Sequence, residues 1–246
     1  MLHHLVYGDE TALPTLFIGH GLFGSARNWN VIAKRLSDSR RVVVIDQRNH
    51  GASAHTATHS YPEMAADLAE VITAFGGKGD VVGHSMGGKA AMVMALQHPA
   101  LVNRLLVADI APVTYTHTQM DVLNAARATD LNVDSRSALD IPIDDKAVAA
   151  FLAQSVDIKA QKWLLNLDTL ANEMEKIIGF PHIDGTFTGP TLFLSGANSD
   201  YVTPAHRPAI KELFPDAKFA KLPDAGHWLH AEKPREFEAT VRYFMD

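Results

Sequence analysis

Gly83-His84-Ser85-Met86-Gly87-Gly88 follows directly on the apolar pair Val81-Val82 and precedes Ala90-Ala91-Met92-Val93-Met94-Ala95-Leu96, a segment with no polar face. A serine set between glycines after a buried strand and before a buried helix predicts a tight strand–turn–helix element. Its hydroxyl then stands at the carboxyl edge of a parallel sheet. Small residues on either side let the backbone pass close to its neighbours. The five-residue pattern alone arises by chance in many chains, so its weight comes from what surrounds it.

Working outward, short apolar and β-branched runs recur along the chain. Thr15-Leu16-Phe17-Ile18, Arg41 to Asp46, Arg104 to Asp109, Pro190 to Gly196 and Ala217 to Leu222 read as strands, most of them buried on both faces. Helical spacing is read between them, from about Trp29 to Leu36, from Tyr61 to Phe75, near Ala205 to Phe214 and from Pro234 to Tyr243. This alternation predicts an α/β architecture, a mostly parallel central sheet with helices on both faces. It stops between Ala111-Pro112 and about Thr188, where the segments around 120–128, 144–154 and 158–178 all read as helices. Residues 1–111 and 189–246 are therefore expected to form one core, and 112–188 a helical cap.

The composition narrows the partners. The 246 residues carry a net charge of -6, which argues against a general affinity for nucleic acid or anionic membranes. A small-molecule partner is expected. The absence of cysteine excludes disulfides, thiolate metal sites and a cysteine nucleophile. No apolar run approaches a transmembrane length, and Met1-Leu2-His3-His4-Leu5-Val6-Tyr7 lacks the pattern of a signal peptide, so the expected compartment is cytoplasmic. Oligomeric state is open.

A serine hydroxyl is a weak nucleophile at neutral pH and needs an adjacent base with something to orient it. Among 13 histidines, His227 is the candidate, because it stands in Ala225-Gly226-His227-Trp228-Leu229-His230, a loop after the last strand that returns to the carboxyl edge of the sheet. His230 reads as a further polar group of that loop. An acyl-transfer reaction also needs two backbone donors for its oxyanion. One is expected from Met86, at a helix amino terminus, and one from Leu22 in His20-Gly21-Leu22. The histidines at 3, 4, 20, 50, 55 and 59 lack metal-ligand spacing, and Gly76-Gly77-Lys78-Gly79-Asp80 reads as a turn and not a phosphate loop. No metal or cofactor is expected. Trp163, Leu164, Leu165 and Leu167 are open between an acyl pocket and the core of the cap, whereas Tyr201 and Trp228 are expected to shape the pocket.

Taken together, His20 to Ser25, Asp46-Gln47-Arg48-Asn49-His50-Gly51-Ala52-Ser53, Gly83 to Lys89, Asp109-Ile110-Ala111-Pro112-Val113 and Gly226 to Pro234 closely resemble the YbfF-type bacterial esterases. These are small proteins of the α/β-hydrolase fold, related to the mitochondrial abhydrolase-11-like proteins. The resemblance implies hydrolysis of short-acyl esters, with acyl-CoA thioesters as a further class, through an acyl-enzyme on Ser85. The acid is ambiguous: many proteins of this fold carry an Asp three residues beyond the glycine that ends the penultimate strand, where this chain has Ser199, with Asp200 one place off. The resemblance instead points to Asp109, with Ser199 as an accessory partner. Two other readings stand beside this one: a carbon–carbon bond hydrolase or lyase of the same fold, and a non-catalytic ligand-binding protein.

Overall fold

Successive side chains of a strand point to opposite faces, and the inner strands of this protein fill both. Leu16 and Ile18 enter one hydrophobic core while Phe17 enters another; Val42 and Val44 part in the same way from Val43 and Ile45, and Leu106 and Ala108 from Leu105 and Val107. That double burial is why these strands read as unbroken apolar runs.

A computed structural model describes residues 1–246. The core elements in its first part are β1 (His4–Tyr7), β2 (Leu16–Gly19), α1 (Asn30–Leu36), β3 (Val42–Ile45), α2 (Tyr61–Ala74), β4 (Gly79–His84), α3 (Met86–Gln97) and β5 (Val102–Ala108). Next come α4 (Met120–Ala128), α5 (Lys146–Ala153), β6 (Val156–Asp157), β7 (Lys162–Trp163), α6 (Leu167–Asn172) and α7 (Met174–Ile178). The chain then rejoins the sheet with β8 (Thr191–Gly196), α8 (Arg207–Leu213), β9 (Lys218–Leu222), α9 (Leu229–Glu232) and α10 (Pro234–Met245). Seven strands lie in the order β1-β3-β2-β4-β5-β8-β9, all parallel except the edge strand β1. Apolar residues of α2 and α3 pack on one face of the sheet, and those of α1 and α10 on the other.

The strand order reverses direction between β2 and β4, which are direct neighbours. Loops at such a switch point diverge and leave a crevice at the carboxyl ends of the strands. The loop after β2 holds His20 to Gly24 and the turn after β4 holds Ser85, so topology alone brings the two together.

The structure departs from the sequence reading in three places. The antiparallel edge strand β1 was not anticipated, because its four residues bury little. Strand β4 begins at Gly79, so part of the expected turn belongs to the sheet. Residues 158–178 are not one helix: β6 and β7 form a small antiparallel ribbon before α6 and α7. Leu164 and Leu165 lie between ribbon and helix, where the chain follows the core; the N–H of Leu164 donates to Ser155 O at 2.8 Å, and Leu165 bridges to His50.

Candidate active site

Ser85 stands between β4 and α3 with φ 52° and ψ -120°. A non-glycine residue with positive φ is strained by roughly 1–3 kcal/mol and persists only where its surroundings hold it. Here they do: Ser85 N–H donates to Ala108 O at 3.0 Å, and Ser85 O accepts from Gly88 and Lys89. The flanking glycines serve close approach. A Cβ on Gly83 would lie 2.4 Å from Gly87 O, and one on Gly87 would lie 2.5 Å from the carbonyl oxygens of Gly19 and His20.

His227 comes from the loop between β9 and α9, and its Nε2 is 3.0 Å from Ser85 Oγ. Its Nδ1 is 2.8 Å from Asp109 Oδ2. Asp109 is fully buried at the end of β5, also in the left-handed region at φ 53°. Its Oδ1 accepts the N–H of Gly196 at 3.1 Å, and its Oδ2 also accepts the hydroxyl of Ser199. A carboxylate with donors on both oxygens is fixed in place and can hold only one tautomer of the imidazole against the serine. Asp200 is exposed and makes no hydrogen bond to His227, so of the two acids considered it is Asp109 that the fold sets against the histidine.

The loop after β2 lies against Ser85: a Cβ on Gly21 would be 3.2 Å from Ser85 Cβ. His20 determines how its first peptide is turned. Its Nε2 accepts Gln47 N–H at 2.9 Å, so Nδ1 carries the proton and donates to Gly21 O at 2.8 Å. Gly24 N–H donates to the same oxygen at 3.0 Å. The trans peptide then points Leu22 N–H the opposite way, where it meets no acceptor in the protein. Met86 is the first residue of α3, so its N–H has no partner within the helix. Burial lowers the His20 imidazole below its usual range, which keeps this tautomer uncharged.

Two residues steady His227 that the sequence did not single out for that role. Nε2–H of His84, the residue before Ser85, donates to His227 O at 2.9 Å. Burial, followed by the neighbouring His230 and His227, holds His84 well below the usual histidine range, so it acts as a neutral donor. Tyr201 stacks on the His227 ring, 3.9 Å between centroids with planes 21° apart. The Tyr201 carbonyl in turn accepts the hydroxyl of Tyr115, whose oxygen accepts Ala111 N–H. His230, read as an incidental polar group, is buried flat against Trp29 at 4.2 Å.

Ser85 and His227 face a cavity of about 200 Å³, whose apolar walls include Leu22, Val122, Val148, Phe151, Ile177 and Ile178. Tyr201 and Trp228 line it as expected. Trp163, Leu165 and Leu167 do not; they pack in the large hydrophobic cluster, which decides between the two readings for these three in favour of packing. At the cavity floor lies Lys89, whose three ammonium protons all go to carbonyl oxygens, of Val113 (2.9 Å), Ile178 (2.8 Å) and Gly179 (2.6 Å). Burial pushes its ammonium down to about 7. No short-range pattern marks Lys89 or His84, whose partners are 24 to 143 residues away in sequence, or the bond of Tyr115 to Tyr201, 86 residues away.

Known proteins share this arrangement of sheet and loops. The model of the alpha/beta hydrolase family matches residues 16–240. The sn-1-specific diacylglycerol lipase ABHD11 of Mus musculus is 40% identical over 99% of this chain and 84% of its own length. Esterase YbfF of Escherichia coli (strain K12) is 34% identical over 92% of this chain and 91% of its own. Among solved structures, a marine microorganism esterase superposes with a TM-score of 0.92 at 38% identity, covering 99% of this chain and 98% of that one. No helix is long and apolar enough to cross a membrane. With a family model spanning most of the chain and relatives of this identity along nearly its whole length, the protein belongs to the alpha/beta hydrolase family.

Proposed function

We infer that this protein is a serine hydrolase of carboxylic esters with short acyl groups, acting through an acyl-enzyme on Ser85. The observation that carries this reading is the unbroken chain of contacts from Ser85 Oγ through His227 to Asp109 at the wall of an apolar cavity. His227 Nε2 takes the proton as Ser85 Oγ attacks the carbonyl carbon, and Asp109 supports the imidazolium that forms. The oxyanion is received by the N–H groups of Leu22 and Met86. His227 then passes its proton to the leaving alcohol, activates water, and the acyl group departs as a carboxylic acid. No step calls for a metal or cofactor.

The cavity supports the short-acyl part of the reading. At about 200 Å³ it is smaller than the ~300–1,000 Å³ common for ligand pockets. Residues 112–188 supply part of its wall, through Val122, Val148, Phe151 and Ile177, and are the cap of this reading. Lys89, the one Lys or Arg on the wall, has all three protons engaged by backbone, so nothing there favours the phosphates of a CoA thioester.

The test is a series of p-nitrophenyl esters of increasing acyl length beside the matched acyl-CoA thioesters, with fluorophosphonate labelling of the wild type, Ser85→Ala and His227→Ala. Turnover highest on the shortest esters, with labelling lost in both variants, is the expected result. A folded wild type that neither labels nor hydrolyses any ester would end this reading.

A further inference from the structure

Phe23 occupies the third position of the tight turn Gly21-Leu22-Phe23-Gly24, closed by Gly24 N–H to Gly21 O, and its φ is 64°. Turns with positive φ at that position favour glycine. A bulky residue there is an outlier that needs support from outside the turn. The turn carries the Leu22 N–H, so its shape decides where that donor points.

Support reaches Phe23 from two sides. Its N–H donates to His50 Nε2 at 3.1 Å, and His50 Nδ1–H is committed to Arg48 O at 2.9 Å, which makes Nε2 the acceptor. Its carbonyl accepts the hydroxyl of Ser155 at 2.7 Å. His50 and Ser155 are 0% and 2% exposed, so neither bond is shared with bulk water. The two residues belong to different parts of the molecule: His50 to the loop after β3, Ser155 to the segment joining α5 to β6. That segment is anchored further by Asn28 Nδ2, which donates to Gln154 Oε1 at 2.7 Å, and by Leu164 N–H on Ser155 O.

We propose that Ser155 is a positioning residue for the oxyanion loop: its hydroxyl, acting with His50 on the two backbone polar groups of Phe23, holds the turn so that Leu22 N–H faces Ser85. The inference rests on the ester-hydrolase reading above. It ties catalytic competence to the seating of residues 112–188, because a displaced segment withdraws the Ser155 bond and frees the turn to relax. The effect belongs to the transition state, where the oxyanion exists, and not to ground-state binding.

The experiment compares wild type with Ser155→Ala, the near-isosteric Ser155→Cys, whose thiol is a weak donor, and Ser155→Thr, which keeps a hydroxyl. Each is assayed for kcat and KM on p-nitrophenyl acetate, for inhibition by an aryl trifluoromethyl ketone, and for its urea midpoint. The ketone's carbonyl carbon bonds to Ser85 Oγ, the serine proton passes to His227, and the adduct carries an oxyanion. Loss of a whole oxyanion donor costs about 10²–10³ in kcat, and a misaimed one less. The alanine and cysteine variants should lose about tenfold in kcat and the same factor in ketone affinity, with KM within about twofold; threonine should recover most of both. Wild-type kcat and ketone affinity in a folded alanine or cysteine variant would overturn the proposal. So would a loss confined to KM, or a lowered urea midpoint with unchanged kcat. A wild type inactive on every ester removes the functional reading and this inference with it, whereas an active wild type with unaffected variants removes the inference alone.

Discussion

Asp109 Oδ2 lies 2.8 Å from His227 Nδ1, reaching the imidazole from the end of β5, 118 residues earlier in the chain. The carboxylate therefore comes from the strand next to the one that leads into Ser85, and the place after β8 goes to Ser199. Asp109→Asn should lower kcat by roughly a thousandfold, since an amide favours the wrong imidazole tautomer and cannot support its charge. Asp200→Asn should stay within about twofold. Steady-state kinetics on one short ester compare the two, and the opposite order of effects would remove Asp109 from its role.

Ser199 tests a finer point. Its hydroxyl shares Asp109 Oδ2 with the histidine, and a hydrogen bond to a charged group is worth about 1.5–3 kcal/mol. Ser199→Ala leaves Gly196 N–H and His227 as donors, so Asp109 keeps its place but is less firmly held. We expect kcat/KM to fall roughly tenfold, far less than for Asp109→Asn. A loss as large as that of Asp109→Asn would mean that Ser199 does more than hold the acid.

Acid should unfold this protein early. Burial first, then the Arg48 charge, pulls His59 down to about 4 against the opposing Glu173 and Glu63, and burial with the nearby His227 pulls His230 down to about 3. In the unfolded chain both return to about 6.5. The unfolded state then binds more protons below that value, so the stability is whole above pH 6.5 and falls as the pH drops towards 4 and 3. Between pH 7 and 5 the loss is about 2 kcal/mol for each. Urea unfolding at the two pH values measures it, and His59→Gln should flatten the slope; a midpoint unchanged from pH 7 to 5 would contradict the assignment.

At the amino end of the sheet, away from the cavity, Arg40 Nη1 meets Asp80 Oδ2 at 2.7 Å with both side chains almost wholly buried. Burial raises the Asp80 carboxyl, opposed by bonds from Asn103 and Arg40. Removing one partner of such a pair costs about 3–5 kcal/mol, chiefly because the other charge stays buried alone. Arg40→Met should destabilise by about that much, and Arg40→Met/Asp80→Asn by clearly less. Equal losses in the single and double variants, read from urea unfolding, would show that the cost is not the stranded charge.

The sequence by itself determined the parallel strands of the sheet, the turn that holds Ser85 and the loop that holds His227. Those features are local: apolar runs buried on both faces, and glycines where backbones touch, as at Gly83 and Gly87, leave their mark within a few residues. It also placed Asp109 among the candidates, but left Asp200 beside it, since both stand at strand ends on the same edge. Only the tertiary structure decided which carboxylate faces His227, because that depends on the angle at which two loops 118 residues apart converge. The ribbon of β6 and β7, the carbonyl cage of Lys89 and the grip of His50 and Ser155 on Phe23 were beyond the sequence for the same reason. Each is made of hydrogen bonds between distant segments, which have no periodicity along the chain and exist only once it has folded.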